Sequence, residues 1–273
     1  MKAESIKLLP DSKVLVTYDT GKREIKKSRG IPFKPDMMEA NIAGIKTNTR
    51  RVAKYQPIQV KPEYKGQQKY FKNPEYIKKG YKEYHNPVIS LEEYLYRCPY
   101  GQPGDLIYCR EVFYECGYWK NTSMSEKSKW IKEVPFYSDV SPYDYMENKY
   151  NILLWNDIHE KYLYRKKPSI HMPREAARLW NIITEIRFER VQDISEADAK
   201  AEGVKPLEQN DETLNNYLAM KTGCKYKPAF SFLWDKINAK RKDSKGNLLH
   251  YSWDDNPYVW VIVYKKFFEG RAT

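Results

Sequence analysis

YVWVIVYKKF, residues 258–267, is an apolar run of β-branched and aromatic residues closed by two lysines. Nothing in it alternates, so it reads as a strand buried on both faces. Upstream, Phe230, Leu233, Trp234 and Ile237 fall at i, i+3, i+4 and i+7 of FSFLWDKI, which predicts a helix with one apolar side. Ile182, Thr184, Ile186 and Phe188 alternate with Glu185, Arg187 and Glu189, as in a half-buried strand with a charged outer face. Ser195 with Asp198 makes a capping box, opening a short helix that Gly203 closes.

The N-terminal half carries the same punctuation. Ile31-Pro32-Phe33 reads as a short edge strand, because Pro32 removes a ladder donor. Asp36 and Glu39 form a second capping box, and the helix MMEANIA ends where Gly44 can turn left-handed. In CPYGQPGDLIYCREVFY, residues 98–114, prolines and glycines build turns before a strand at Leu106–Tyr114. Alternation there puts Glu111 on the more apolar face with Ile107, Cys109 and Phe113, where a carboxylate needs a partner or a shifted pKa. Many short strands, few helices and one buried strand predict an α+β fold, a small barrel with helices at its ends.

The chain has 273 residues with 41% hydrophobic and 31% charged content, the balance of a globular protein rather than a disordered one. No apolar run approaches a membrane span, and the opening MKAESIKLLPDSKV lacks the apolar core of a secretory signal, so a cytoplasmic location is expected. Cys98, Cys109, Cys116 and Cys224 show no C-x-x-C pairing, which favours free thiols over a zinc site. A net charge of +12 makes a polyanion the default partner, although Lys-rich composition alone can produce it. Residues 53–97, dense in Lys, Tyr, Pro and Asn with weak periodicity, and 117–165, with tryptophans, tyrosines and mixed charge, read as insertions.

Three short segments carry chemistry. In GIKTNTRR, residues 44–51, Lys46 and Thr49 would face opposite ways on a regular strand and meet only if the chain is still turning after Gly44. A desolvated lysine can lose its proton and act as a base, and a nearby hydroxyl can attack or orient water. Arg50 and Arg51 each offer a planar fork to phosphate, or simply form a basic turn. Glu202, in the last turn of ISEADAKAEGV, opposes the helix dipole; it is either an exposed glutamate or a partner for Lys46. KKPSIHMPR, residues 166–174, reads as a rigid basic loop in which Lys166, Lys167, His171 and Arg174 hold phosphates or merely face solvent. His171 lacks neighbours at metal-ligand spacing, and no metal or cofactor is expected.

The ordered set G-x-K-T-x-T-R-R, Y-G-x-P-G-D-x-x-x-x-R-E, P-S-I-H-M-P-R, D-I-S-E-x-D-A-x-x-E-G-V and N-P-x-V-W-V-I resembles the ASCH-domain proteins, in a long form found in bacteriophage and prophage genomes. The resemblance covers roughly half the chain and implies a single PUA-like domain over residues 1–273, a small mixed β-barrel with flanking helices and the two insertions. In the amidohydrolase branch that removes acyl groups from N4 of cytidine, the Lys, Thr and Glu of the site match Lys46, Thr49 and Glu202. The resemblance further implies that Arg110 and the other basic residues contact nucleic acid, and that Gly44, Gly104, Asp105 and Glu111 organise the cleft. Expected partners are RNA or nucleosides, in some cases modified. Rival readings are a non-catalytic RNA or modified-nucleic-acid binder, a ribonuclease, and a phage accessory protein that binds a host protein through its insertions.

Overall fold

A computed structural model describes residues 2–54, 56–60, 70–72, 88–120, 129–138, 152–157, 160–206, 225–270 and 272. Parts of the two expected insertions, together with Cys224 and the side chain of Cys116, lie outside the described residues. Cys98 and Cys109 are buried, and Cys109 Sγ accepts from Asn181 Nδ2 at 3.3 Å.

The architecture is mixed α+β with a core that is mostly sheet. A seven-stranded sheet has the order β1 (Ala3–Leu8), β2 (Lys13–Tyr18), β3 (Arg23–Pro32), β8 (Leu106–Arg110), β13 (Leu179–Arg190), β14 (Tyr258–Glu269), β4 (Asn48–Val52). It begins on β1 and ends on β4, so it is open where a closed barrel is expected. β3 runs parallel to β8, while β1–β2, β2–β3 and β14–β4 are antiparallel. A three-stranded sheet holds β5 (Ile58–Val60), β6 (Tyr70–Lys72) and β7 (Val88–Ser90). A four-stranded sheet has the order β10 (Lys129–Ser138), β9 (Phe113–Lys120), β12 (Glu160–Lys167), β11 (Ile152–Asp157). Four α-helices occur among the described residues: α1 (Pro35–Ile42), α2 (Leu91–Tyr96), α3 (Glu196–Ala201) and α4 (Tyr226–Asn238). None is long and apolar enough to cross a membrane.

The chain divides into two compact units. Unit 1 comprises Met1–Glu39, Asp105–Asn181 and Lys266–Thr273; unit 2 comprises Ala40–Gly104 and Ile182–Lys265. Unit 1 buries Ile6, Val14, Val16, Ile31, Leu106, Ile107, Leu179 and Trp180. β3 lies between β2 and β8 in the sheet, but β2 pairs only with Arg23–Lys27 and β8 only with Ser28–Pro32. Pro32 thus has a paired strand on one side alone, the edge position in which a missing donor is tolerated. The expected single strand 106–114 is instead two, broken at Glu111 and Val112.

Unit 2 packs Val191, Ile194, Ala199, Phe230 and Trp234 against Val259 and Val261 of β14. A second cluster stacks Phe188 on Tyr258 and Tyr94 on Trp260. The apolar run of β14 is buried from Tyr258 to Ile262 and again at Tyr264, as a strand covered on both faces requires. Helix α4 buries Phe230 and Trp234, but its last inward position is Asn238, with Ile237 43% exposed. The Asn238 side chain instead donates to the Trp234 carbonyl, 3.2 Å away.

Candidate functional site

The site in unit 2 begins with two left-handed glycines. Gly44 takes φ +73° after α1, and its turn is closed by the Ile45 and Lys46 amides donating to the Ala40 carbonyl at 2.9 and 3.0 Å. Lys46 and Thr47 therefore lie in a turn, ahead of β4. Helix α1 itself starts at Pro35, one residue before the expected cap. Gly203 takes φ +78° after α3, whose first turn is capped by Ser195 Oγ accepting from the Asp198 amide at 3.0 Å. An added Cβ at Gly203 would stand 3.0 Å from Lys46 Cβ and 3.1 Å from Ala40 Cβ. The absent side chain lets the two turns close on each other.

Two bonds stitch them. The Thr47 amide donates to the Ala201 carbonyl at 2.9 Å, and Lys46 Nζ donates to the Glu202 carbonyl at 2.7 Å, so orphan carbonyls of α3 are satisfied. Lys46 Nζ also meets Glu202 Oε2 at 2.7 Å, with side-chain exposures of only 3% and 6%. The other carboxylate oxygen, Oε1, takes Arg50 Nη1 at 3.3 Å.

Alternation along β4 sorts the rest. Asn48 and Arg50 point one way: Asn48 Nδ2 reaches Asp198 Oδ1 at 3.4 Å, and Arg50 Nη2 reaches Asp198 Oδ2 at 2.9 Å and Glu189 Oε1 at 2.8 Å. The Arg50 guanidinium lies 5.8 Å from the Phe230 ring centre. Arg187 Nη2 joins Asp198 Oδ2 at 2.8 Å. Thr49 and Arg51 occupy the other face of the strand; Thr49 is buried and pairs in register with Ile262.

Burial is the largest influence on Lys46 and holds its ammonium below the ordinary lysine value; Glu202 opposes this, while Arg51 and Arg50 push it lower still. For Asp198, burial would raise the carboxyl, but hydrogen bonds from Arg187 and Arg50 outweigh it and keep the group below its usual range. Arg51 is lowered chiefly by burial, opposed by Tyr100, Glu202 and Tyr264. The assembly can hold a lysine with a weakened grip on its proton, locked against a carboxylate that stabilises the protonated form.

Of the expected catalytic set, Lys46 and Glu202 touch and Thr49 is buried on the adjoining strand. Arg50 is not placed to hold phosphate, because its guanidinium has no exposed surface and is committed to three carboxylates. Gly104 takes φ +93° and donates to the Ile183 carbonyl at 2.8 Å, fixing the turn that precedes β8.

The remaining candidates belong to unit 1 and divide by role. Glu111 is buried, and its two oxygens accept from Arg178 Nε and Nη2 at 2.9 and 3.0 Å, a fork-to-fork pair. Asp105 is half-buried just ahead of β8. Arg110 is half-buried, its Cδ packed over Gly30 together with the Tyr108 ring. Arg174 is not a free phosphate contact: it donates to the Leu9 and Lys13 carbonyls at 2.8 and 2.9 Å and ties down the β1–β2 turn. KKPSIHMPR is not one loop either. Lys166 and Lys167 end β12, and the rest winds into two 3₁₀ turns, Ser169–His171 and Arg174–Ala176, with Lys166 and His171 exposed.

Sequence reading missed the function of Asp198, Glu189 and Arg187 around Arg50, and of Arg178 around Glu111. An available signal was the acid-base-acid alternation Glu185-Arg187-Glu189. No group of three or more His, Cys, Asp or Glu suited to a metal ion occurs among the described residues. Comparison of the chain with known family models, curated proteins and solved structures returned no match.

Proposed function

We propose that the protein is an ASCH-type binder of a nucleobase or nucleoside unit, free or within RNA, and that its Lys46 site hydrolyses an N-acyl amide on that unit. The observation that carries this is the buried Lys46–Glu202 contact at 2.7 Å, made by residues 156 apart in sequence and joined to a strand bearing a buried Thr49. In this reading neutral Lys46 takes a proton from the Thr49 hydroxyl or from water. The oxygen attacks the acyl carbon, and the tetrahedral oxyanion collapses as the Lys46 ammonium returns its proton to the departing exocyclic amine. Attack by water releases the acid directly, whereas attack by Thr49 leaves a threonyl ester that a second water, deprotonated by Lys46, cleaves to acid and free hydroxyl. Glu202 stabilises the ammonium between those steps, and Arg50 holds Glu202 in place. Arg51, Lys166, Lys167 and His171 are the candidate contacts to nucleic acid.

A second reading has its own support. Lys46 also donates to the Glu202 carbonyl, as a structural pin for α3 would, so the same residues suit a binding module without chemistry. Mass spectrometry on a panel of N-acylated nucleosides, free and in RNA, separates the two. Loss of the acyl mass with wild type, reduced at least about 100-fold in Lys46→Ala and in Glu202→Gln, is the expected outcome. Retained binding with no mass change leaves the module. Full activity in folded Lys46→Ala would refute the catalytic assignment.

A further inference from the structure

The β1–β2–β3 meander of unit 1 sorts its charges by face. Register places Lys7 opposite Leu15, Leu15 opposite Ile25, Lys13 opposite Lys27 and Thr17 opposite Arg23, so the odd-numbered positions share one side. The even-numbered side buries Ile6, Val14 and Val16. The odd-numbered side exposes Lys7, Lys13, Arg23, Lys27 and Arg29 with no carboxylate at an odd-numbered strand position; the exposed Glu4, beside Ser5, stands at its edge. The acid of β3, Glu24, lies in the even-numbered row, where it meets Lys22 at 2.6 Å and Lys26 at 3.3 Å and accepts from the Tyr18 hydroxyl at 2.8 Å. Glu4 falls in the bulge between Ala3 and Ser5. Among the described residues, none of the five outward cations has a side-chain hydrogen bond or ion pair.

Stability does not account for this arrangement. Like charges directly opposite on neighbouring strands are destabilising, and Lys13 faces Lys27 across the ladder. A row of donors with no acid among them is relieved by an anion that bridges several at once. Strands stand about 4.8 Å apart and alternate residues about 7 Å apart, a spacing that suits a run of linked charges better than one small ion. The face carries no aromatic side chain, since Tyr18 points into the opposite side, so it offers no stacking platform for bases. It has one well-exposed large apolar residue, Ile25 at 65%, and lacks the apolar helix face with which peripheral proteins enter a bilayer.

The geometry points to a second interaction surface, the odd-numbered face of β1–β2–β3, which docks the phosphodiester backbone of a nucleic-acid strand without reading its sequence. It is separate from the Lys46 chemistry and does not rest on it. The surface supplies affinity and its salt dependence; base identity would be read elsewhere.

The test is fluorescence anisotropy of a labelled oligouridylate of about 20 nucleotides titrated with full-length protein over a range of salt. Five phosphate contacts predict an affinity that falls roughly 100-fold between about 50 and 200 mM salt. Lys13→Gln, Lys27→Gln and Arg29→Gln together should cut that dependence to roughly tenfold. Removing equal charge elsewhere, with Lys236→Gln, Lys240→Gln and Lys245→Gln, should change affinity by no more than about threefold. Ile25→Glu, which sets a carboxylate in the middle of the face, provides a second variant at an exposed position and should weaken binding about tenfold. Equal losses in the two triple variants, a salt slope unchanged by the first, or capture by phosphatidylserine vesicles without RNA binding would each overturn the proposal.

Discussion

Glu111 and Glu202 are both buried carboxylates, and the difference between them separates a matched ion pair from a crowded one. Glu111 in unit 1 has one partner, Arg178, whose two nitrogens match its two oxygens; that arginine is still 31% exposed. Water still reaches that cation. Glu202 in unit 2 is divided between Lys46 on one oxygen and Arg50 on the other, and neither cation retains more than 3% of its side-chain surface. Here three positive groups, Lys46, Arg50 and Arg51, crowd one strand and its entrance, and the lysine yields because an arginine cannot. Burial with a matched partner makes an anchor. Burial with an excess of cations weakens a lysine's hold on its proton.

That distinction can be broken most directly by stability. Glu202→Gln leaves two desolvated cations with one carboxylate fewer, and should cost about 3–5 kcal/mol. Glu111→Gln leaves an arginine that can turn to solvent, and should cost about 1–3 kcal/mol. Urea unfolding of the two variants measures both. Equal losses would mean that exposure of the cation does not matter, and the contrast would fail.

The pH profile sharpens the same comparison. The folded value of Lys46 lies below the ordinary 10.5, so between the two values the unfolded chain holds more protons and stability rises with pH. Below the folded value both states are charged, and this contribution is lost. Activity that depends on neutral Lys46 should rise through its folded pKa. Glu202→Gln removes the group that opposes the depression, so the rise should move to lower pH; Arg51→Gln removes a neighbouring positive charge and should move it to higher pH. Opposite movements in the two variants are the expected outcome. Rate profiles of hydrolysis, or NMR titration of the Lys46 side chain, would show it. No movement in either variant would detach Lys46 from the reaction.

How much of this was legible in the sequence follows from the range of each interaction. Gly44, Ser195 and Gly203 act within a few residues of themselves, and each adopts the turn or cap that its local pattern predicts. The apolar run of β14 likewise announces its own burial. Arg178 could not be matched to Glu111 by pattern, since 67 residues separate them and several arginines were available. Asp198 shows a subtler limit. Its amide obeys the capping pattern while its side chain leaves it for Arg50 and Arg187, a choice fixed only once β4 lies beside α3. The open sheet was misjudged for the same reason: which strand ends beside which is a long-range matter that alternation cannot encode. Lys46 with Glu202 was one of two alternatives that the residues offered, and only the resemblance favoured it, because neither residue's own surroundings require the other.

The two glycines give the finest separation of anchor from site. Gly44 and Gly203 share the left-handed conformation, so replacing either by alanine should cost about 1–2 kcal/mol from backbone strain alone. At Gly44 an added Cβ meets nothing within 4 Å, and the cost should stop there. At Gly203 it meets the β-carbons of Lys46 and Ala40, neither of which can rotate away because a β-carbon is fixed by its backbone. The turn holding Lys46 must shift by a few tenths of an ångström, against a lysine whose two bonds to Glu202 are already short. Gly203→Ala should therefore lose about 1 kcal/mol more than Gly44→Ala in urea unfolding and alter the Lys46 titration, while Gly44→Ala leaves that titration where it was. If both variants shift Lys46 equally, the closeness of the two turns is incidental to its chemistry, and the pair is an anchor after all.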